Sequence, residues 1–304
     1  MYDLCSKQRI PHQHTKKWII AQDQQQMEEL EKMHRFASSI DVPTSFLSKE
    51  EIAAREPDVR ANAGVLESES TGIVDSHSFM QYLEGDFQDR GGDCAFHSCV
   101  TRIEPINNGK QGYRISFAAG EAGEASIEAE TVINSAGLFA IPLSNTALPK
   151  ERHRTPFYAK GSYFSYSATS PRPKTLLYPA PVPGFGGLGT HLTLDMAGRV
   201  RFGPDVEWVD DPTDLKPDPG RMQGAVAMIS SYLPSVKRDA IDVDYCGIRP
   251  KLGETGSTAG KNFADFYIRQ EEGFPGFVNL LGIESPGLTC SLAIGQMVEQ
   301  ILYK

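Results

Sequence analysis

The chain has 304 residues, 40% of them hydrophobic, enough for one large domain or two intertwined ones. Its formal net charge of −9, with no basic block, argues against nucleic acid and against an anionic membrane surface as partners, so an anionic substrate would have to be held by a few local cations. No apolar run approaches the ~18 residues of a transmembrane helix, and the N-terminus shows neither a signal-peptide core nor an Arg-rich transit segment. The five cysteines, Cys5, Cys94, Cys99, Cys246 and Cys290, lack C-x-x-C spacing, so a soluble intracellular protein with reduced thiols is expected. His12 and His14 alternate as metal ligands do, but no carboxylate or cysteine cluster accompanies them, and a solvated turn without metal is expected.

In chain order, residues 18–21 (WIIA) read as a short strand, followed by a helix over about 23–40 with Met27, Leu30, Met33, Ala37 and Ile40 on one face. Ser48 and Glu51 have the spacing of a capping box for a short helix through Ala54, stopped by Pro57. GIVD then leads into a helix over about 76–90, with Phe79, Leu83 and Phe87 inward and Gly91-Gly92 as its stop. Residues 95–133 alternate like an antiparallel meander. The segment 131–140 (TVINSAGLFA) runs from an apolar strand into a loop whose Ser135, Ala136 and Gly137 would let a ligand lie against backbone. Residues 154–244 hold aromatic-rich strands, a Pro-rich loop and a helix over about 218–232 that buries Met222, Met228 and Ile229.

Two C-terminal segments carry the chemistry. GIRPKL at 247–252 sets Arg249 between an apolar strand end and a Pro that fixes the chain, a way to hold a guanidinium fork facing a carboxylate. GFVNLLGIESPGLT at 276–289 reads as a buried strand feeding a helix, with Ser285 as N-cap, Pro286 at the first helical position and Gly287 leaving backbone open. Leu288, Leu292, Met297, Val298, Ile301 and Leu302 would form the stripe that seats this helix, whose N-terminus offers N–H groups to an anion. The same segment also fits an ordinary strand–helix connection.

Other motifs fail on spacing. GIESPG has Ile283 where a nucleophile elbow needs Gly, and GSTAGKN at 256–262 has its first Gly too close for a P-loop and Asn262 in place of Ser or Thr. The G-x-G-x-x-G at 184–189 sits between a Pro-rich turn and a strand rather than between a strand and a helix. The acidic pairs Glu28-Glu29 and Glu271-Glu272 lie in polar stretches and read as solvated faces.

The blocks IPHQHTKKWIIA (10–21), TGIVDSHSF (71–79), AKGSYFSY (159–166), GLGTHLTLDMAGRVRFGPDVEW (187–208), GIRPKL and GIESPGLT together resemble, in order and over nearly the whole chain, the FAD-dependent oxidoreductases of the D-amino-acid oxidase superfamily. The resemblance is greatest to the L-2-hydroxyglutarate dehydrogenase-like branch. It implies an α/β (α+β) two-domain FAD-binding fold, truncated at the N-terminus, with a mixed or antiparallel sheet in the substrate domain. Flavin-domain parts would lie at about 76–150 and 272–304, and substrate-domain parts at about 15–75 and 151–271. The implied activity is hydride transfer from the α-carbon of a small 2-hydroxy acid, L-2-hydroxyglutarate first, to FAD and on to an unidentified acceptor. A eukaryotic member would be mitochondrial.

The resemblance also assigns residues. Arg249 would hold the α-carboxylate, His191 would serve as base, and Lys160, Tyr163 and Lys251 would meet a distal carboxylate. Val100, Asn134, Ser135, Ala136 and Gly137 would contact the adenine and pyrophosphate side of FAD, and Gly282, Ser285, Pro286, Gly287 and Leu288 the flavin pyrimidine edge. The family's phosphate-binding βαβ unit would precede Met1, so this chain is expected to hold FAD weakly. The alternatives are an amine or amino-acid oxidase of the same superfamily, a non-catalytic truncated paralogue, or an incomplete gene model.

Overall fold

The strand at Lys17–Ala21, buried on both faces from Trp18 onward, organises the largest sheet of the computed structural model, which describes residues 1–120, 123–181, 189–253 and 264–304. Helix α1 (Tyr2–Gln8) and strand β1 (His12–Gln13) lead into β2 (Lys17–Ala21), α2 (Gln24–Ser39), β3 (Thr44–Phe46), α3 (Lys49–Arg55), β4 (Gly64–Ser68), β5 (Ile73–Val74) and α4 (Ser76–Asp89). Then come β6 (Cys99–Pro105), β7 (Tyr113–Ala118), β8 (Glu124–Ala129), β9 (Val132–Asn134) and α5 (Ala140–Ala147). The third stretch holds β10 (Phe157–Tyr166), β11 (Leu176–Pro179), β12 (Leu192–Leu194), β13 (Val200–Phe202), β14 (Glu207–Val209), α6 (Met222–Tyr232) and β15 (Ile241–Lys251). The chain closes with β16 (Tyr267–Gln270), β17 (Phe277–Leu281) and α7 (Gly287–Tyr303). Two of the rejected motifs, 256–262 and all of 184–189 except Gly189, lie outside the described residues.

Among the described residues the large sheet has nine strands, ordered β14-β10-β13-β12-β11-β2-β4-β3, with β15 on the free side of β10. It is mixed: β2 and β11 run parallel and the other pairs antiparallel. One face buries Trp18, Ile20, Val65, Leu177, Leu192, Phe164 and Phe202 under Ala225, Ile229 and Tyr232 of α6. At ~1.5–3 kcal/mol per buried large apolar side chain, this layer is the main stabiliser of the sheet. On the opposite face α2 covers only the β2–β4 end, through Leu30 against Ile19, Ala21 and Leu66. The rest of that face, beyond α2, carries polar side chains.

Among the described residues, two three-stranded sheets, β6-β7-β8 and β16-β17-β9, and the two-stranded pair β1-β5 complete the frame. Strand β9 does not close the meander, as its alternation suggested. It pairs in parallel with β17, Asn134 opposite Asn279, because the carbonyl of Gly276 takes the N–H of Val132 and draws it away from β8. Strand β16 also joins β17, so residues 267–270 belong with the C-terminal sheet rather than with the stretch 151–271.

Local signals place most helix ends. Asp23 caps α2 through the Gln26 N–H, and Ser48 and Glu51 form both halves of a capping box on α3. Asp218 caps a 3-10 turn that runs into α6. The faces were less legible. Ile40, Phe87, Leu288, Leu292 and Met297 are exposed. Helix α7 packs through Val298, Ile301 and Leu302 of the expected stripe, together with Ile294. Ser285 is not its N-cap: the turn Glu284 N–H to Gly282 O moves the helix start to Gly287, with Pro286 at the cap and no side-chain capping bond. His12 and His14 bond to the carbonyl oxygens of Ile10 and Glu69. Among the described residues no helix is long and apolar enough to cross a membrane.

Candidate active site

Because Trp18 and Leu177 point into the core, their neighbours Lys17 and Tyr178 emerge on the opposite, polar face of the sheet. The Tyr178 ring stacks on the imidazole of His191, with centroids 3.9 Å apart and planes 18° from parallel. The Lys17 ammonium lies 5.0 Å from the same Tyr178 ring centre. Tyr163 stands on this face too, stacked on Tyr245 at 4.6 Å. Arg249 reaches it from β15, and its charge is felt by both Tyr178 and His191.

Electrostatics give His191 a defined state. It is 9% exposed, and burial, together with the charges of Arg249 and Lys17, pushes its pKa down to about 4 against a weaker opposing bond from the Gly189 carbonyl. The ring is therefore neutral at physiological pH. Its Nδ1 lies 3.2 Å from the Gly189 oxygen, and since a carbonyl only accepts, the hydrogen sits on Nδ1 and the Nε2 lone pair has no partner among the described residues. Burial likewise pushes Tyr178 up to about 12, so its phenol stays protonated.

Arg249 and Lys251 share a face of β15 and meet one carboxylate. Glu284 accepts from Lys251 Nζ at 2.5 Å, and its other oxygen, buried without a hydrogen-bond partner, is 3.8 Å from Arg249 Nη1. Arg249 remains 31% exposed at the side chain, so its fork is not saturated. Lys251, with 7% exposure, is committed to Glu284 and is not free for a distal carboxylate as the sequence suggested. Lys160 is corrected more sharply. It pairs in register with Ile248, one residue out of phase with Arg249, so it projects from the other face, where Asp214 holds it at 2.8 Å and Glu207 at 3.3 Å.

The loop after β9 forms a second region. Val100, Asn134, Ser135 and Ala136 line a cavity of about 630 Å³ with Ile103, Val132 and Phe139. Ser135 and Gly137 line a neighbouring one of about 480 Å³ with Ile283, Gly287 and Ile294. Gly137 has φ +57°, and a Cβ there would meet no neighbour, so backbone borders open space. Gly287 thus joins the predicted loop, whereas Ser285, Pro286 and Leu288 are exposed and line neither cavity. Gly282 is needed for packing: at φ +67°, a Cβ would press on Leu252 at 2.7 Å.

A buried polar chain that sequence reasoning missed holds this loop. Asn134 Nδ2 donates to Asn279 Oδ1 at 2.8 Å and to the Ala140 carbonyl at 2.7 Å. Asn279 in turn donates to Ser144 and, at 2.7 Å, to Glu271. Glu271 is buried and bonded to Arg152 and Tyr267, with Arg154 3.8 Å away, so it is no solvated acid. The only signal in the sequence was an Asn within the apolar strand FVNLL.

This arrangement matches known proteins over its whole length. The profile of the FAD dependent oxidoreductase family DAO covers residues 1–301. The mitochondrial L-2-hydroxyglutarate dehydrogenase of Arabidopsis thaliana is 33% identical over 98% of this chain and 68% of its own length. A glycerol 3-phosphate dehydrogenase of Caloramator mitchellensis is 25% identical over 99% of this chain and 59% of its own. Among solved structures, an FAD-bound L-α-glycerophosphate oxidase from Mycoplasma pneumoniae superposes with a TM-score of 0.83 at 22% identity, over 97% of this chain and 74% of that one. The chain belongs to the DAO family of FAD-dependent oxidoreductases, whose cofactor is FAD.

The residues present fit part of that cofactor. The backbone at Ser135–Gly137, open and bordered on both sides by apolar grooves, suits a flat ring system with polar edges. Among the described residues, no strand is joined to a helix through a G-x-G-x-x-G turn, the usual pyrophosphate cradle.

Proposed function

We propose that the protein oxidises a small 2-hydroxy acid to the 2-oxo acid, with L-2-hydroxyglutarate the first candidate. The observation that carries this reading is the pairing, on one sheet face, of an unsaturated guanidinium fork at Arg249 with a neutral imidazole whose Nε2 has no partner among the described residues. The relative from Arabidopsis thaliana named for this substrate, 33% identical to the chain, supports it.

Arg249 would take the α-carboxylate in two parallel hydrogen bonds and so fix which face of the α-carbon is presented. His191 Nε2 would receive the hydroxyl proton, while its Nδ1–H keeps the bond to Gly189 that holds the ring in place. Bound FAD supplies the acceptor for the hydride that leaves the α-carbon. An anionic substrate would also offset the charges of Arg249 and Lys17 that now disfavour imidazolium, raising the basicity of His191 when a proton must be taken. Tyr178, stacked on the imidazole, would limit its rotation.

The test is a substrate panel on the flavin-loaded protein, with loss of flavin absorbance as readout. L-2-hydroxyglutarate should reduce the flavin, and glycine, sarcosine and D-alanine should not. Reduction by one of these amines with L-2-hydroxyglutarate inert would replace the alcohol reading with amine oxidation.

A further inference from the structure

Adjacent lysines at the start of β2 have opposite fates. Lys16 reaches Glu67, at 2.8 Å, on the Trp18 side of the sheet, where Arg55 and the Trp18 indole also bind that carboxylate. Lys17 points the other way, pairs in register with Leu176 and Ser68, and has no carboxylate partner among the described residues. Among the described residues its cation–π contact is the Tyr178 ring at 5.0 Å, and its charge also acts on His191. Burial lowers its pKa, as expected of an ammonium whose surroundings do not compensate it. A cation–π contact is worth about 2 kcal/mol at best, less than the several kcal/mol of desolvating an ammonium. In a chain of net charge −9, a cation left unmatched beside His191 and on the same face as Arg249 is a site waiting for an anion.

We propose that Lys17 binds a second carboxylate of the substrate, further along the carbon chain from the hydroxyl, and so makes the site selective for 2-hydroxy dicarboxylates over monocarboxylates. This rests on the reading above in which Arg249 holds the α-carboxylate. It also replaces Lys160 and Lys251, both already engaged with acids, as the distal contact. With Arg249 at one end and Lys17 at the other, the Tyr178–His191 stack would lie along the middle of the substrate, which puts Nε2 beside the hydroxyl-bearing carbon.

The experiment is isothermal titration calorimetry of the purified protein with FAD in excess, using three probes: 2-oxoglutarate, 2-oxopentanoate, which has the same carbon count with a methyl in place of the distal carboxylate, and glycerol 3-phosphate. The parent protein should prefer 2-oxoglutarate to 2-oxopentanoate by about 10- to 100-fold, the worth of one charged hydrogen bond. Lys17→Met, with Lys17→Gln as the second variant should the first not fold, should abolish that preference and leave 2-oxopentanoate affinity unchanged. Lys17→Arg should keep most of it. A preference that survives in Lys17→Met or Lys17→Gln overturns the role of Lys17 alone. Tight binding of glycerol 3-phosphate with no preference for 2-oxoglutarate means that the second anion is a phosphate, and overturns the carboxylate assignment. If neither 2-oxo acid binds the parent protein, the Arg249 reading fails, and this inference with it.

Discussion

The imidazole of His191 lies on the phenol ring of Tyr178, 3.9 Å between centroids, and this stack is where the cationic and neutral halves of the site meet. Tyr178 comes from β11 and His191 from the segment entering β12, so sheet pairing, Leu177 against Leu192, sets their contact. A neutral ring held between Lys17 and Arg249 can act as a base but resists becoming a cation until an anion arrives.

That resistance makes folding stability depend on pH. His191 protonates near 6.5 in the unfolded chain and near 4 in the folded one, so between these values the unfolded state binds more protons and stability rises with pH. Acidification across the window should remove ~3 kcal/mol in total. Glu67 adds a second loss below 4.5: burial raises its pKa, but bonds from Arg55, Lys16 and Trp18 outweigh burial and bring it to about 2. Urea denaturation from pH 7 to 4 should show His191→Asn flattening the slope between 6.5 and 4.5 while the loss at lower pH persists. An unchanged slope would mean that the imidazole is not held neutral.

Replacing His191 with Ala in the flavin-loaded protein should slow flavin reduction by ~10²-fold or more at saturating substrate, the usual worth of a positioned base. Flavin occupancy should stay as in the parent, because His191 lies among Tyr178, Gly189 and Arg249 and lines neither cavity at Ser135–Gly137. Reduction at the parent rate would assign His191 a purely structural role.

Arg249→Lys keeps the charge but loses the planar fork. The expected fall in kcat/KM is ~30- to 1000-fold, corresponding to ~2–4 kcal/mol. Thermal unfolding serves as the control, since Glu284 keeps its bond to Lys251 in this variant. Parent-like efficiency would exclude carboxylate clamping by Arg249.

Glu271→Ala should destabilise the fold by ~3–5 kcal/mol, because it leaves buried Asn279 and half-buried Arg152 without their shared acceptor. Through Asn279 and Asn134 it should also loosen the Ser135–Gly137 loop and raise the Kd for FAD. Chemical denaturation and flavin titration measure the two effects. A soluble variant with parent stability would show that the chain of bonds is not structural.

How much of this was legible in the sequence depended on whether a signal was local. Asp23, Ser48 with Glu51, and Asp218 each act on a backbone N–H two or three residues away; Ser48 with Glu51 was read as a capping box, and the helix starts were placed at Asp23 and Asp218. Arg249 and His191 were found through family-like blocks, and the structure brings them to one face. Lys160 was misassigned because a strand's facing depends on register, and its partner Asp214 lies 54 residues away. Lys17 was overlooked because a lysine at a strand end reads as solvated, whereas the β2–β11 pairing brings the Tyr178 ring over it. Leu288, Leu292 and Met297 fit a helical period, yet the period does not say which side has a partner. Glu271 was judged by the polar stretch around it, although a strand end can bury one residue and expose the next, as with Glu271 and Glu272.

The central claim is oxidation at the α-carbon of a 2-hydroxy acid, and anaerobic stopped-flow reduction of the flavin-loaded protein tests it most directly. L-2-hydroxyglutarate and its 2-deuterated form would be compared, with sn-glycerol 3-phosphate and glycine alongside. The account predicts flavin bleaching by L-2-hydroxyglutarate, slower with deuterium at the α-carbon, and none by the other two. Bleaching by sn-glycerol 3-phosphate or glycine, with L-2-hydroxyglutarate inert, would contradict it.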